Sequence, residues 1–148
     1  MKKYIIAILV LIVIAVGLQY GAKHWKTTNA PESKATYTNA SADLIVVDLP
    51  FPGAVVGKDF SVIGKARGTW YFEASFPVKV LDKDGNVLAQ MPAQAEGGWM
   101  TENFVPFKAD IKIPETYIGP ATLILKNDNP SGDPTRDKSI SFPINIEY

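Results

Sequence analysis

At 148 residues the chain has room for one domain and a short appendage. It has no cysteine, which excludes a disulfide frame, a thiol nucleophile and a cysteine metal site. Formal charge is zero overall, yet residues 1–42 carry five lysines and one acid, while residues 43–148 carry 10 basic and 14 acidic side chains. An acidic body lacks the Lys/Arg face that phosphate neutralisation needs, so nucleic acid is not expected as a partner.

The chain opens with Lys2 and Lys3 and then runs from Tyr4 to Ala22 without a charge. Those 19 residues would rise roughly 28 Å as a helix, close to the thickness of a bilayer's hydrocarbon core. Lys23, His24, Trp25 and Lys26 follow, residue types that suit a headgroup interface. Residues 1–26 are therefore read as an amino-terminal transmembrane anchor or signal peptide, the length favouring the uncleaved anchor. The expected localisation is a single pass in the cell membrane with the carboxy-terminal domain extracytoplasmic, so the membrane is the first partner. Residues 27–42, rich in Thr, Asn, Ser and Ala, show no apolar period and read as a flexible tether. Within them Asn39-Ala40-Ser41 matches a glycosylation triplet, which matters only in a glycosylating pathway.

From residue 43 onward the period is two. The stretches 43–49 and 59–66 read as strands around the Pro/Gly turn region "PFPGAVVGK". In "TWYFEASFPVKV", every second residue from Trp70 is apolar (Trp70, Phe72, Ala74, Phe76, Val78, Val80), and the interleaved set includes Tyr71, Glu73, Ser75 and Lys79. Successive strand side chains point to opposite faces, so Trp70, Phe72 and Phe76 are expected in the core, with Tyr71 and Glu73 on the outer face. Asp82–Gly85 supplies turn chemistry before a returning strand with Val87, Ala89 and Met91. The stretches 107–113, 121–126 and 139–148 alternate likewise, and Pro77 and Pro143 fall outward, which suits edge strands or bulges. Seven one-sided strands predict an all-β fold, a seven-stranded immunoglobulin-like antiparallel β-sandwich over residues 43–148, behind one transmembrane helix.

The body carries Pro50-Phe51-Pro52-Gly53, Gly64-Lys65-Ala66, and Trp70-Tyr71-Phe72-Glu73-Ala74-Ser75-Phe76. In these groups it resembles the Gmad2 family, the immunoglobulin-like domain of bacterial spore germination. Asp82, Gly85, Leu88, Gly98, Phe104, Gly119 and Leu123 continue the resemblance, which covers about 44–146. It implies a non-enzymatic, extracytoplasmic domain of a bacterial cell envelope and says little about a ligand.

The residues themselves offer little catalysis. The only histidine, His24, lies outside the body, so no Ser-His-Asp set and no histidine metal site can form there. Acid pairs such as Glu73 with Asp110 or Glu102 would be needed for a carboxylate-dependent envelope hydrolase. Asp128, Asp133 and Asp137 share one loop, but Pro130 disrupts a calcium-loop reading, and a polar turn is expected. No catalytic residue, metal ligand or cofactor is assigned. The candidate partner-binding residues are Trp99, in the aperiodic stretch 91–104, and Tyr71 with Glu73. Exposed Trp99 and Tyr71 would suit a cell-wall glycan, and a cell-envelope protein is the other candidate partner.

Overall fold

The computed structural model describes residues 34–148. The candidate anchor (1–26) and residues 27–33 lie outside the described residues. Among the described residues no helix is long and apolar enough to cross a membrane. Regular structure there is strand, apart from two 3-10 turns.

The strands are β1 (Thr36–Thr38), β2 (Ile45–Leu49), β3 (Val55–Val56), β4 (Asp59–Arg67), β5 (Ser75–Asp82), β6 (Val87–Ala95), β7 (Phe104–Lys112), β8 (Gly119–Lys126) and β9 (Ser139–Ile146). Every stretch read as a strand from its period contains one, namely β2 and β4 through β9, although the stretch read from Trp70 becomes strand only at Ser75. The described residues do not, however, make two separate sheets. One almost wholly antiparallel sheet, in the order β1-β9-β8-β5-β6-β7-β4-β2, curls into a half-barrel. The bend lies at β6, which pairs with β5 along most of its length but with β7 only at Gln94↔Lys108 and Ala95↔Phe107.

Prolines sit where this pairing lapses. Pro77 and Pro92 face each other across β5 and β6. The β5–β8 ladder starts only at Val78, and the β6–β7 ladder only at Gln94, so neither missing N–H breaks a ladder. Pro77 thus occupies a central strand rather than an edge. Pro143 sits between the short strands that flank β9. β1 runs antiparallel along Ser139–Ser141, and β3 runs parallel along Asn145–Ile146.

Residues 36–38 were expected in a flexible tether, yet they add a strand to the sheet. Thr-Tyr-Thr favours extended backbone, and Tyr37, in register with Ile140, packs against the core. β2 then breaks register at Leu49, the Leu49–Pro50 peptide is cis, and a turn closed by Ala54 N–H donating to Phe51 O leads into β3. The segment 49–55 therefore crosses from one edge of the sheet to the other.

Inward side chains from the two halves meet in one core. Phe76 of β5 and Phe107 of β7 are both buried, with ring centroids 5.0 Å apart, edge to face. Val78, Val80, Leu123, Leu125 and Ile140 fill one wall. Val62, Val105 and Ile111 fill the other. Each fully buried side chain of this size contributes about 1.5–3 kcal/mol by leaving water.

Candidate functional site

Four connections gather at one end of the half-barrel: 39–44, 68–74, 96–103 and 127–138. The second holds the aromatic run, and there the structure departs from simple alternation. Gly68–Trp70 forms a 3-10 turn, so the third long strand begins at Ser75 and not at Trp70. The turn rotates successive side chains, and Trp70 and Tyr71 both enter the core. Tyr71 is 4% exposed, and its hydroxyl donates to Val105 O at 2.7 Å. Its ring stacks edge-on against Phe76 at 5.2 Å. Burial, the largest cause, pushes the Tyr71 phenol up to about 12. Tyr71 is therefore a core residue and cannot present a face to a ligand. The expectation that placed it outside fails because it started the strand five residues early.

Phe72, expected inside, is 41% exposed. Glu73 and Ala74 follow with φ of 49° and 62°, both left-handed. Phe72 and Ser75 close this two-residue turn reciprocally: Phe72 N–H donates to Ser75 O at 3.0 Å and Ser75 N–H to Phe72 O at 3.1 Å. Left-handed backbone costs a non-glycine residue about 1–2 kcal/mol. The turn persists because its neighbours fix it, with Ala95 N–H donating to Ala74 O and Asp128 N–H to Trp70 O. Glu73 thus stands exposed at a rigid tip beside Phe72.

The 96–103 connection packs directly on the start of this run. A Cβ on Gly68 would lie 1.9 Å from Thr101 O and 2.3 Å from Trp99 O, so only glycine allows the loop to seat. Trp99 is half-buried against the core, while Met100 beside it is 85% exposed. Trp99 thus caps one end of the core and keeps part of its ring in water. Arg67 ties the connections together. Its Nε donates to Asp43 O at 2.9 Å and its Nη1 to Glu102 O at 3.3 Å. The guanidinium lies 4.0 Å from the Phe104 ring centroid, a cation–π contact.

Two carboxylates of the acid-rich loop, Asp133 and Asp137, are used internally. Asp133 Oδ1 accepts from Thr135 N–H and caps the second 3-10 turn. Asp137 accepts from Asn129 Nδ2 at 3.0 Å and from Lys126 Nζ at 2.8 Å. These hydrogen bonds, from Thr135 and from Asn129 first, hold both acids below the usual carboxylate range. Asp110, one possible acid partner of Glu73, belongs instead to the outer face of β7. It accepts from Ser61 Oγ at 2.6 Å and pairs with Lys108, and both lower its pKa, Ser61 first. Among the described residues no three His, Cys, Asp or Glu side chains gather where they could share a cation.

Of the sequence candidates, then, Glu73 and Trp99 come to the same end of the fold, and Tyr71 lies in the core. Sequence reading missed Phe72 and Met100, whose exposure no alternation rule marks. The comparisons with known proteins agree with this picture of a folded body. The family model described as the immunoglobulin-like domain of bacterial spore germination, Gmad2, matches residues 44–133, more than half of the chain. Its end falls in the 127–138 loop, so β9 lies beyond the matched part. No curated protein and no solved structure matches the chain. The chain belongs to the Gmad2 family of immunoglobulin-like domains.

Proposed function

We propose that the chain acts by recognition, without catalysis, in a bacterial cell envelope. In this reading an apolar segment near the amino terminus makes a single pass through the cell membrane. It holds the immunoglobulin-like β domain on the extracytoplasmic side as a binding or scaffolding domain. The family supports the binding or scaffolding part of the reading. The observation that carries it is the loop end, where Phe72 and Met100 expose apolar surface and Trp99 exposes part of its ring. Phe72 stands on a turn held by reciprocal hydrogen bonds with Ser75, so it loses little entropy on binding.

A second reading makes that surface specific for a cell-wall glycan, because Phe72 and Trp99 are aromatics that could stack on sugar rings. The remaining reading, a carboxylate-dependent hydrolase, finds less support. General acid catalysis needs a carboxyl with a raised pKa, and the displaced carboxylates Asp82, Asp110, Asp133 and Asp137 all move downward. The test is co-sedimentation of the chain with isolated cell-wall material, alongside Trp99→Ala and Phe72→Ala. Pelleting that is lost in folded variants supports the glycan reading. If the parent chain stays in the supernatant, the wall is not its ligand, and crosslinking to envelope proteins becomes the decisive search.

A further inference from the structure

Between β6 and β7 the sheet comes apart. The two strands pair at Gln94↔Lys108 and Ala95↔Phe107, and Glu96 N–H donates to Pro106 O. From Ala93 back to Val87, β6 has no strand partner on that side among the described residues. Antiparallel pairing fixes which main-chain groups this leaves open. Pro77 and Pro92 stand opposite each other and neither has an N–H, so theirs is a non-bonded pair, and Val78 with Met91 makes the bonded pair beside it. Pro92 and Gln90 therefore turn their main-chain groups away from β5 and towards β7. On β7 the same alternation, counted from Pro106 O, turns the groups of Asp110 and Lys112 towards β6.

The side chains show the same opening. Met91 is in register with fully buried Val78, so it belongs to the core side of β6, yet it is 43% exposed. The core-side residues of β7, Ala109 and Ile111, are buried. A cleft of about 390 Å³ lies between the strands, with Met91 and Pro92 on one wall and Lys108, Ala109 and Asp110 on the other. Its volume is within the ~300–1,000 Å³ of ligand sites. Strand edges that meet only water are blunted by charged side chains, by proline or by a covering segment. Residues 87–95 carry no charged side chain, and Pro92 withholds a single donor.

We propose that this cleft receives one extended peptide segment of a partner protein, which adds to the β6 edge as a further strand. The chemistry of the edge selects that occupant. Open N–H and C=O groups at every second residue are complementary to the main chain of an extended peptide. Both walls of the cleft belong to one domain, which admits a single chain and not the edge of a second folded sheet. Gln90 N–H donates to the peptide, and Gln90 O and Pro92 O accept from it. An apolar side chain at every second peptide position covers Met91. The cleft includes none of Phe72, Trp99 and Met100, so its occupancy does not depend on what the loop end binds.

The test takes the full-length chain in detergent and a pool of random peptides of about nine residues, within the usual length of a strand. Peptides that the chain retains are then made singly. In the free chain the Gln90 amide should exchange with solvent at least about tenfold faster than the Met91 amide, which bonds to β5. A retained peptide at saturation should slow Gln90 exchange by about tenfold or more. N-methylation of that peptide at alternate residues, in one of the two phases, should weaken its binding by about tenfold or more, because the methyl groups replace the donors that face β6. If Gln90 exchanges as slowly as Met91 in the free chain, the edge is already covered and the proposal is overturned. Peptides that slow only amides of residues 68–74 or 96–103 also overturn it, as does equal binding of both N-methylated forms and the parent peptide. A pool from which no peptide is retained overturns it as well.

Discussion

Replacing Tyr71 by Phe removes one oxygen and leaves the ring stack with Phe76 in place. That oxygen donates at 2.7 Å to Val105 O, and the side chain is 4% exposed, so water cannot take over the bond. Stranding a buried carbonyl costs about 1–3 kcal/mol, which lowers the melting temperature by roughly 4–8 °C per kcal/mol in a domain of about this size. The pH dependence adds a second signature. The phenol titrates at about 12 in the fold and at about 10 in the unfolded chain. A raised folded pKa means that its stabilisation is fully present below about pH 10 and is lost as pH rises towards 12. The gap between parent and Tyr71→Phe should therefore be widest near neutral pH and narrow above pH 10. Urea unfolding at a series of pH values, followed by tryptophan fluorescence, measures both quantities. A gap below about 0.5 kcal/mol at pH 7 that does not change with pH, the value typical of a plain surface substitution, would refute the buried placement of Tyr71.

Three further outcomes are expected. Glu73→Asn combined with Ala74→Gly supplies the residues that a two-residue left-handed turn prefers, and should raise stability by about 1 kcal/mol in thermal melts. Gly68→Ala sets a Cβ against Thr101 O and Trp99 O. It should expose amides of residues 99–103 to hydrogen exchange and cost more than about 2 kcal/mol, in the range of forced overpacking. Asp133 and Asp137 have depressed pKa values. The order they give the 127–138 loop is present above the ordinary carboxylate range and lost as pH falls through their folded values. Amide exchange in this loop should rise at acid pH ahead of exchange in β8, and Asp137→Asn should remove much of that pH dependence.

The strands were legible because their faces are chemically unlike. In β7, buried Phe107, Ala109 and Ile111 alternate with exposed Lys108, Asp110 and Lys112, and no other register buries the first set. The 82–86 hairpin was equally plain. Asp82 Oδ1 accepts from Asp84 N–H and Asn86 N–H, and Gly85 takes a φ of 86° that suits glycine. The candidate site was harder to read because it departs from both rules. Glu73-Ala74 makes a left-handed turn with no glycine or asparagine to announce it, held by contacts from residues 95 and 128 that are remote in sequence. The 3-10 turn before it moves Tyr71 inward, so counting by twos from Trp70 inverts Tyr71 and Phe72. β1 escaped notice because three extended residues vanish in the average composition of a sixteen-residue segment. Sheet closure was also hidden, since it depends on pairing between β6 and β7 at only two positions.

The two short strands beside β9 have a consequence for solubility. β9 is an apolar strand, with Ile140, Phe142, Ile144 and Ile146 all buried on one side. A bare edge on such a strand would be a template for pairing with other chains and growing aggregates. β1 covers its first three residues and β3 its last two. In the gap between them Pro143 has no N–H to offer, and its carbonyl accepts from Gly53 N–H at 2.7 Å. A chain shortened to begin after Thr38 would keep its core but uncover Ser139–Ser141, so material prepared without those few residues should precipitate where the longer chain stays dispersed.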